Sequence, residues 1–268
     1  MTPTSTLQED QTPVMSGQPT ENPADGVGRY VYAVVDAGST LPEGLDGLDG
    51  APLRTVVCGE VAAVVADVAV ERGAGRRRDL LAHSAVVDGL AAELVVVPVQ
   101  FGAILADDDS VVEDFLAPHH NRFLGYLEAL DGRTQLTLQA TYHESAGLPE
   151  VVAADPQIAD LRRRTRDLPE EAGYADRVRL GELVARAMEL KREDDSAVLL
   201  DSVLPRVVDH VERPVGGVDQ LLDVALLVDD DRVAELEDHL ESLAEAVHER
   251  IRLRLMGPMA PYDFVGAD

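Results

Sequence analysis

Three side chains in this sequence carry titratable groups suited to acid–base chemistry: His83, Glu60 and Tyr262. A histidine beside a carboxylate and a phenol could move protons at a bound small molecule, provided the fold brings all three to one pocket. The one cysteine, Cys58, lies in the strand-like run RTVVCGEVAAVV. A reactive thiolate needs a neighbouring base, and nothing local supplies one, so Cys58 reads as a buried, inert thiol. His119 and His120 are adjacent, and neighbours on a helix point about 100° apart, so they cannot grip one metal as an i, i+4 pair does. His239 and His248 lie nine residues apart, off one helical face. The acid runs 107–109, 193–195 and 229–231 lack the glycine and terminal glutamate of a calcium loop. Two of them stand where helices begin, and solvated surface is their expected role. The GVG at 26–28 precedes a strand instead of following one, the single lysine belongs to no phosphate loop, and no serine sits in a nucleophile elbow. No catalytic residue, metal ligand or cofactor site is assigned.

The elements that would position these residues follow from periodicity. Residues 1–28, rich in Thr, Pro, Gln and Gly, read as a disordered leader. Tyr30 to Val35 form a strand. LRTVVCGEVAAVVADV is a hairpin turning at Gly59–Glu60. After the polar loop 71–79, a helix over 79–94 carries an apolar stripe of Leu80, Leu81, Val86, Val87 and Leu90. VVVPVQFGAIL is a buried strand whose Pro98 implies an edge or a bulge and whose Gly102 allows close backbone approach. A helix then runs from the acids at 107–109 to about residue 130.

The second half repeats the grammar. TQLTLQATYHE alternates with period two, a helix pair breaks at Pro156, and a long helix runs from about residue 176 with a possible kink at Pro205. Its stripe is Val178, Leu183, Val184, Ala187, Met188 and Leu190. Then come a strand in DQLLDVALLVDD, a helix over 231–249, and a last strand. In that strand Ile251, Leu253 and Leu255 alternate with Arg250, Arg252 and Arg254. The order β-β-β-α-β-α, β-α-α-β-α-β predicts an α+β fold in two domains, residues 29–132 and 133–268, with mostly antiparallel sheets covered by helices. The C-terminal domain is expected to be ferredoxin-like with a helical insertion.

Composition narrows the function classes. The 268 residues carry 50 acidic and 23 basic side chains, a formal net charge of −27, with 22 Arg, one Lys and no Trp. Such a surface repels nucleic acid and anionic membranes alike. The longest uncharged apolar run, residues 94–106, is too short to span a bilayer, and no signal peptide is visible, so a cytoplasmic protein is expected. Against this acidity Arg76–Arg77–Arg78 and the basic face of the last strand stand out. They are expected to pair with acids across the domain contact or to form a patch for an acidic partner.

Four segments, RYVYAVV, HSAVVDGLAAELVVVPVQFGAIL at 83–105, GYADRVRLGELVARAMELKRE at 173–193 and LRLMGPMAPYDFV at 253–265, come in the order of the gas vesicle protein F/L family. The sequence resembles that family from Arg29 onward. Gln100 stands where a basic residue often precedes the Phe-Gly pair, and Asp263 where a small hydroxyl residue often follows Pro-Tyr. The resemblance implies a non-enzymatic, cytoplasmic gas vesicle protein. It would be a minor shell-associated or assembly component that contacts the main hydrophobic shell protein and other gas vesicle proteins, with no cofactor, nucleic acid or lipid membrane involved. The alternative is a cytoplasmic enzyme or ligand-binding module. Pro98, Phe101, Gly102, Gly257, Pro258, Pro261, Tyr262 and Phe264 are the interface or interdomain anchor residues on this reading. The tail 257–268 is then either a clamp, with Tyr262 and Phe264 plugging a groove between domains, or a direct partner contact. A buried Phe264 ring would make Phe264→Ala cost about 3 kcal/mol.

Overall fold

The β-branched and aromatic run after Gly28 forms the central strand of the first sheet, β1 (Val27–Asp36). The hairpin follows as β2 (Arg54–Cys58) and β3 (Val61–Ala69), with Gly59 at φ +63° in the turn. β3 pairs antiparallel with both β2 and β1, and the β1–β3 register slips between Val31 and Ala33. That bulge puts Tyr30 and Tyr32, then Ala33 and Val35, into one core cluster, where strict alternation would have turned the second pair away. The computed structural model describes residues 26–69, 76–143, 146–166, 168–169, 171–217 and 219–266. The leader therefore lies outside the described residues up to residue 25, and Val27 and Gly28 already belong to β1.

Helix α1 (Arg77–Ala91) covers the tyrosine face of this sheet. Its buried side chains are Asp79, His83, Val86, Val87 and Leu90, spaced as one helical stripe. Leu80 and Leu81, assigned to the stripe from hydropathy, are instead exposed, at 46% and 61%. Val86, Val87 and Leu90 are buried as expected, and only the start of the stripe was misassigned, because its two true members there, Asp79 and His83, are polar. The expected single strand after α1 is two short ones, β4 (Val97–Pro98) and β5 (Ile104–Leu105), both antiparallel to β1. Pro98 sits on the edge strand, where its missing N–H leaves no ladder bond unmade. Between them the chain arches out, anchored by Val99 N to Tyr32 O and Val31 N to Ala103 O. A helical run follows as α2 (Asp108–Ser110), a π-turn (Val111–Leu116) and α3 (Ala117–Leu130). Pro118 donates no N–H and its ring crowds the carbonyl four residues back, which accounts for the widened turn just before it.

The second sheet has strand order β7–β8–β6–β9, built from β6 (Arg133–Tyr142), β7 (Asp209–Glu212), β8 (Gln220–Asp229) and β9 (Ile251–Met259). β7 escaped sequence reading because four residues, two of them acidic, carry no periodic signal. Tyr142 N donates to Asp219 O and His143 N to Arg250 O, so the end of β6 meets the starts of β8 and β9 and runs antiparallel to both. Inserted after β6 are α4 (Leu148–Ala154), α5 (Pro156–Arg166) and α6 (Tyr174–Val203). Asp155 caps α5 by accepting from Gln157 N and Ile158 N at 2.7 and 3.3 Å. α6 buries only Leu199, Leu200 and Val203, and Val178 and Leu190 of the expected stripe are exposed. Pro205 ends this helix in a 3-10 turn (Leu204–Arg206) and does not kink it. Helix α7 (Val233–Val247) completes the core with Leu236 and Leu240.

The fold is α+β with antiparallel sheets and helices laid on them. Its two compact units differ from the expected division in one respect. The first unit runs to Thr134 and takes in Pro258–Asp268; the second is Gln135–Gly257. The tail thus belongs with the N-terminal sheet, although the sequence places it with the C-terminal one. Gly257, the last residue of the second unit, holds φ +127° beside β6. A Cβ there would stand 2.9 Å from Gln135 O and 2.8 Å from Leu136 Cδ2. Gly257→Ala is therefore expected to cost about 1–3 kcal/mol in a denaturant titration. An unchanged midpoint would show that the strand end tolerates a side chain.

Candidate functional site

His83 points from α1 into the tyrosine face of the first sheet and is almost fully buried. An imidazole removed from water needs partners for both nitrogens. Nε2 lies 3.1 Å from Val99 O and 2.9 Å from Tyr262 Oη, while Nδ1 lies 3.1 Å from Tyr30 Oη. A carbonyl can only accept, so Nε2 carries the proton, and Nδ1 accepts from the Tyr30 hydroxyl. The Tyr30 oxygen in turn accepts from Gly102 N at 3.0 Å. The rings support the same arrangement. Tyr32 stacks on His83 at 5.5 Å, Phe101 meets it edge-on at 5.7 Å, and Tyr30 lies tilted against Tyr32 at 4.9 Å. Tyr32 Oη accepts from Leu48 N at 2.7 Å, tying the loop before β2 to the cluster.

The tail enters this cluster from the chain's other end. Ala260 N donates to Asp88 Oδ1, one turn along α1 from His83, at 3.0 Å. A 3-10 turn (Tyr262–Phe264) follows, held by Tyr262 N to Ala260 O and Phe264 N to Pro261 O. Burial drives the His83 imidazole down to about 4 against the helping carbonyl of Val99, so it is neutral at ordinary pH. Burial, with the Asp88 charge nearby, pushes the Tyr262 phenol well above its ordinary value. Both side chains therefore act as neutral hydrogen-bonding groups.

Among the residues singled out by sequence, the structure brings Phe101, Gly102 and Tyr262 together around His83. Gly102 holds φ +99°, which lets its N–H reach Tyr30. Pro98 lies on β4, and Pro261 is buried beside the last turn. Gly257 and Pro258 are exposed, and Phe264 is only half-buried. Both rings of the pair are partly buried, and Tyr262 is the one whose hydroxyl reaches His83. Of the acid–base trio, His83 and Tyr262 meet, but Glu60 stands exposed on the β2–β3 turn with its N–H on His120 Nε2. They meet in packed interior. Two surface grooves of the first unit, one lined by Leu48, Asp49, Asp67 and Val68, the other by Leu94, Val96, Arg133 and Pro261, reach neither His83 nor Tyr262. Sequence reading missed Tyr30, Asp88 and the place of His83 in the buried stripe. Extending the α1 stripe backwards from Val87 and Val86 by one turn would have found His83.

Two ionic clusters were also missed. Asp108, expected to be solvated, receives Arg54 Nη1 at 2.9 Å and Nη2 at 2.6 Å and Arg29 Nε at 2.6 Å. These bonds, the Arg54 one foremost, hold its carboxyl below the usual range. In the second unit Lys191 bridges Glu150 and Asp195 at 2.7 and 3.0 Å, and Arg250 bridges the same two acids. Tyr142 Oη donates to Asp195 at 2.6 Å. Arg78 pairs with Asp49 and Asp79 inside its own unit. Cys58 is partly buried, short of the full burial expected. Among the described residues no group of three or more His, Cys, Asp or Glu is arranged to hold a metal, and no helix is long and apolar enough to cross a membrane.

Comparison with known proteins gives one consistent result. Residues 28–266 match the family model described as gas vesicle synthesis protein GvpL/GvpF. The chain is 32% identical over 242 residues to gas vesicle protein F of Streptomyces sp. (strain CB03234), covering 88% of this chain and 98% of the relative. It is 30% identical over 260 residues to gas vesicle protein L of the same strain, covering 89% and 92%. The crystal structure of gas vesicle protein GvpF from Anabaena sp. PCC7120 superposes with a TM-score of 0.74 at 21% identity, over 90% of this chain and 96% of that one. GvpF from Microcystis aeruginosa gives 0.73 at 20% identity, over 89% and 99%.

The cluster makes two measurable demands. The unfolded histidine titrates near 6.5 and the folded one near 4, so folding excludes a proton between those values. Stability should therefore fall as the pH drops from 6.5 towards 4, by up to about 3 kcal/mol from this group. His83→Gln is expected to flatten that slope relative to the parent, and an identical slope would show His83 to titrate normally. Tyr262→Phe removes one hydrogen bond to the imidazole and is expected to cost about 1 kcal/mol. Phe264→Ala, with its ring partly buried, should cost no more than the roughly 3 kcal/mol of a fully buried phenylalanine. Thermal melts of the two variants check both figures.

Proposed function

This chain belongs to the gas vesicle synthesis protein GvpL/GvpF family, and from that premise we propose that it is a non-enzymatic component of gas vesicle formation. It acts in the cytoplasm at the growing vesicle, as a minor shell-associated or assembly protein that binds the main hydrophobic shell protein. The observation that carries this reading is the family match running from residue 28 to residue 266. The closed, neutral packing of His83 and Tyr262 supports it, since a function exercised through surfaces needs a rigid interior more than an open pocket.

Within this reading the sequence-derived anchor residues take two roles. Pro98, Phe101, Gly102, Pro261 and Tyr262 fix the tail onto the first unit. The exposed Gly257 and Pro258, with the partly buried Phe264, contact the shell partner. The β-α-β-β-α-β succession of the second unit, with sheet order β7–β8–β6–β9, supports a ferredoxin-like core carrying α4–α6 as an insertion.

The test is co-purification of the full chain with the main shell protein. The parent chain should retain it. Phe264→Ala should retain less than the parent at a temperature where thermal melts show both to be folded. Failure of the folded parent to retain the shell protein would overturn the proposal.

A further inference from the structure

We propose that the open edge of β9 is a docking site for an acidic, extended peptide segment, which adds as a fifth strand to the second sheet. β9 ends the strand order β7–β8–β6–β9, and no strand lies beyond it among the described residues. Just before β9, Arg250 O accepts from His143 N, the residue that follows β6. Backbone groups alternate in direction along a strand, so the N–H and C=O of Ile251, Leu253 and Leu255 point to the open side. These are the groups an incoming strand would bond.

The side chains state which strand. Ile251, Leu253 and Leu255 face the core cluster, so Arg252 and Arg254 stand on the opposite face, and both are exposed. Two residues along a strand set them about 7 Å apart, the repeat of alternate side chains on an added strand. Among the described residues neither has an ion pair, unlike Arg250, which is held by Glu150 and Asp195. Their same-face neighbours on β6, Thr137, Gln139 and Thr141, are uncharged. Asp223 of β8 is already engaged by Arg213 and Gln139. Two uncompensated cations on a chain of net charge −27 are a local reversal of sign. The other sheet edges lack it. β7 presents Asp209 and Glu212, and Arg54 of β2 is tied to Asp108 and Asp67. Carboxylates at alternate positions of a guest strand would meet Arg252 and Arg254 while its backbone bonds the β9 edge. This inference stands apart from shell-protein binding.

The probe is a fluorescein-labelled peptide of about seven residues alternating glutamate with valine, added to the full chain at about 50 mM salt. Anisotropy should report binding that Arg252→Gln/Arg254→Gln weakens about tenfold and Arg252→Lys/Arg254→Lys largely keeps. A lysine–valine peptide should not bind. N-methylation of alternate backbone nitrogens in the glutamate peptide should abolish binding, and hydrogen exchange at Ile251, Leu253 and Leu255 should slow when the unmodified peptide is added. Both variants should melt as the parent does, since the side chains are exposed. No binding of the glutamate peptide, equal binding by the glutamine variant, or full binding of the methylated peptide would each overturn the proposal.

Discussion

A neutral imidazole buried between a strand, a loop and the end of the chain is the constraint on which the first unit depends. His83 has two nitrogens to satisfy and no water to satisfy them. Tyr30 from β1, Val99 from the β4–β5 arch and Tyr262 from the tail supply the partners. Each partner is itself placed by something else: Tyr30 by the Gly102 N–H, the arch by its ladder bonds to β1, and the tail by Asp88. The bulge at Val31–Ala33 is part of the same device, because it keeps both tyrosines on the face that α1 covers. The residues joined at His83 and Tyr262 lie 179 positions apart in the chain. An N-terminal sheet is therefore closed by a C-terminal turn, and the chain passes through the whole second unit in between.

The three segments of the family resemblance that carry Tyr30, His83 to Gly102, and Gly257 to Tyr262 converge on this cluster. The fourth, in α6, supplies Lys191 to the ionic cluster of the second unit. What makes the sequence look like a gas vesicle protein is thus largely interior chemistry. In this chain the motifs build a hydrogen-bonded closure in one unit and a charge-paired helix contact in the other. Charge follows a similar logic. With acids outnumbering bases 50 to 23, part of the cation set is committed to specific carboxylates: Arg29 and Arg54 to Asp108, Lys191 and Arg250 to Glu150 and Asp195. The exposed arginines of β9 differ in standing two residues apart on a strand at the sheet edge.

The α+β class, the hairpin at Gly59, the helix break at Pro156 and the edge position of Pro98 were legible because each rests on a local rule. Glycine in a tight turn, proline at a helix start and period-two alternation need no knowledge of distant residues. The His83 cluster was not legible as a unit, since nothing local says that residues 30, 83, 102 and 262 touch. The α1 stripe misled for a related reason. Hydropathy scores Asp79 and His83 as surface, whereas their partners make them interior. β7 had too few residues to show a period, and the α6 stripe was legible through Leu183, Val184, Ala187 and Met188 but not beyond them, where Lys191 and Asp195 continue the same face. Phe264 and Tyr262 look equivalent as letters and are partly buried alike; only the phenol oxygen marks the one that bonds His83.

Nitrogen-resolved NMR of the His83 ring, followed through an acid titration, tests the closure most directly. The account predicts a single tautomer with the proton on Nε2 and Nδ1 as acceptor, unchanged until the pH approaches about 4. A ring that titrates near 6.5, or that exchanges freely between tautomers, would contradict it.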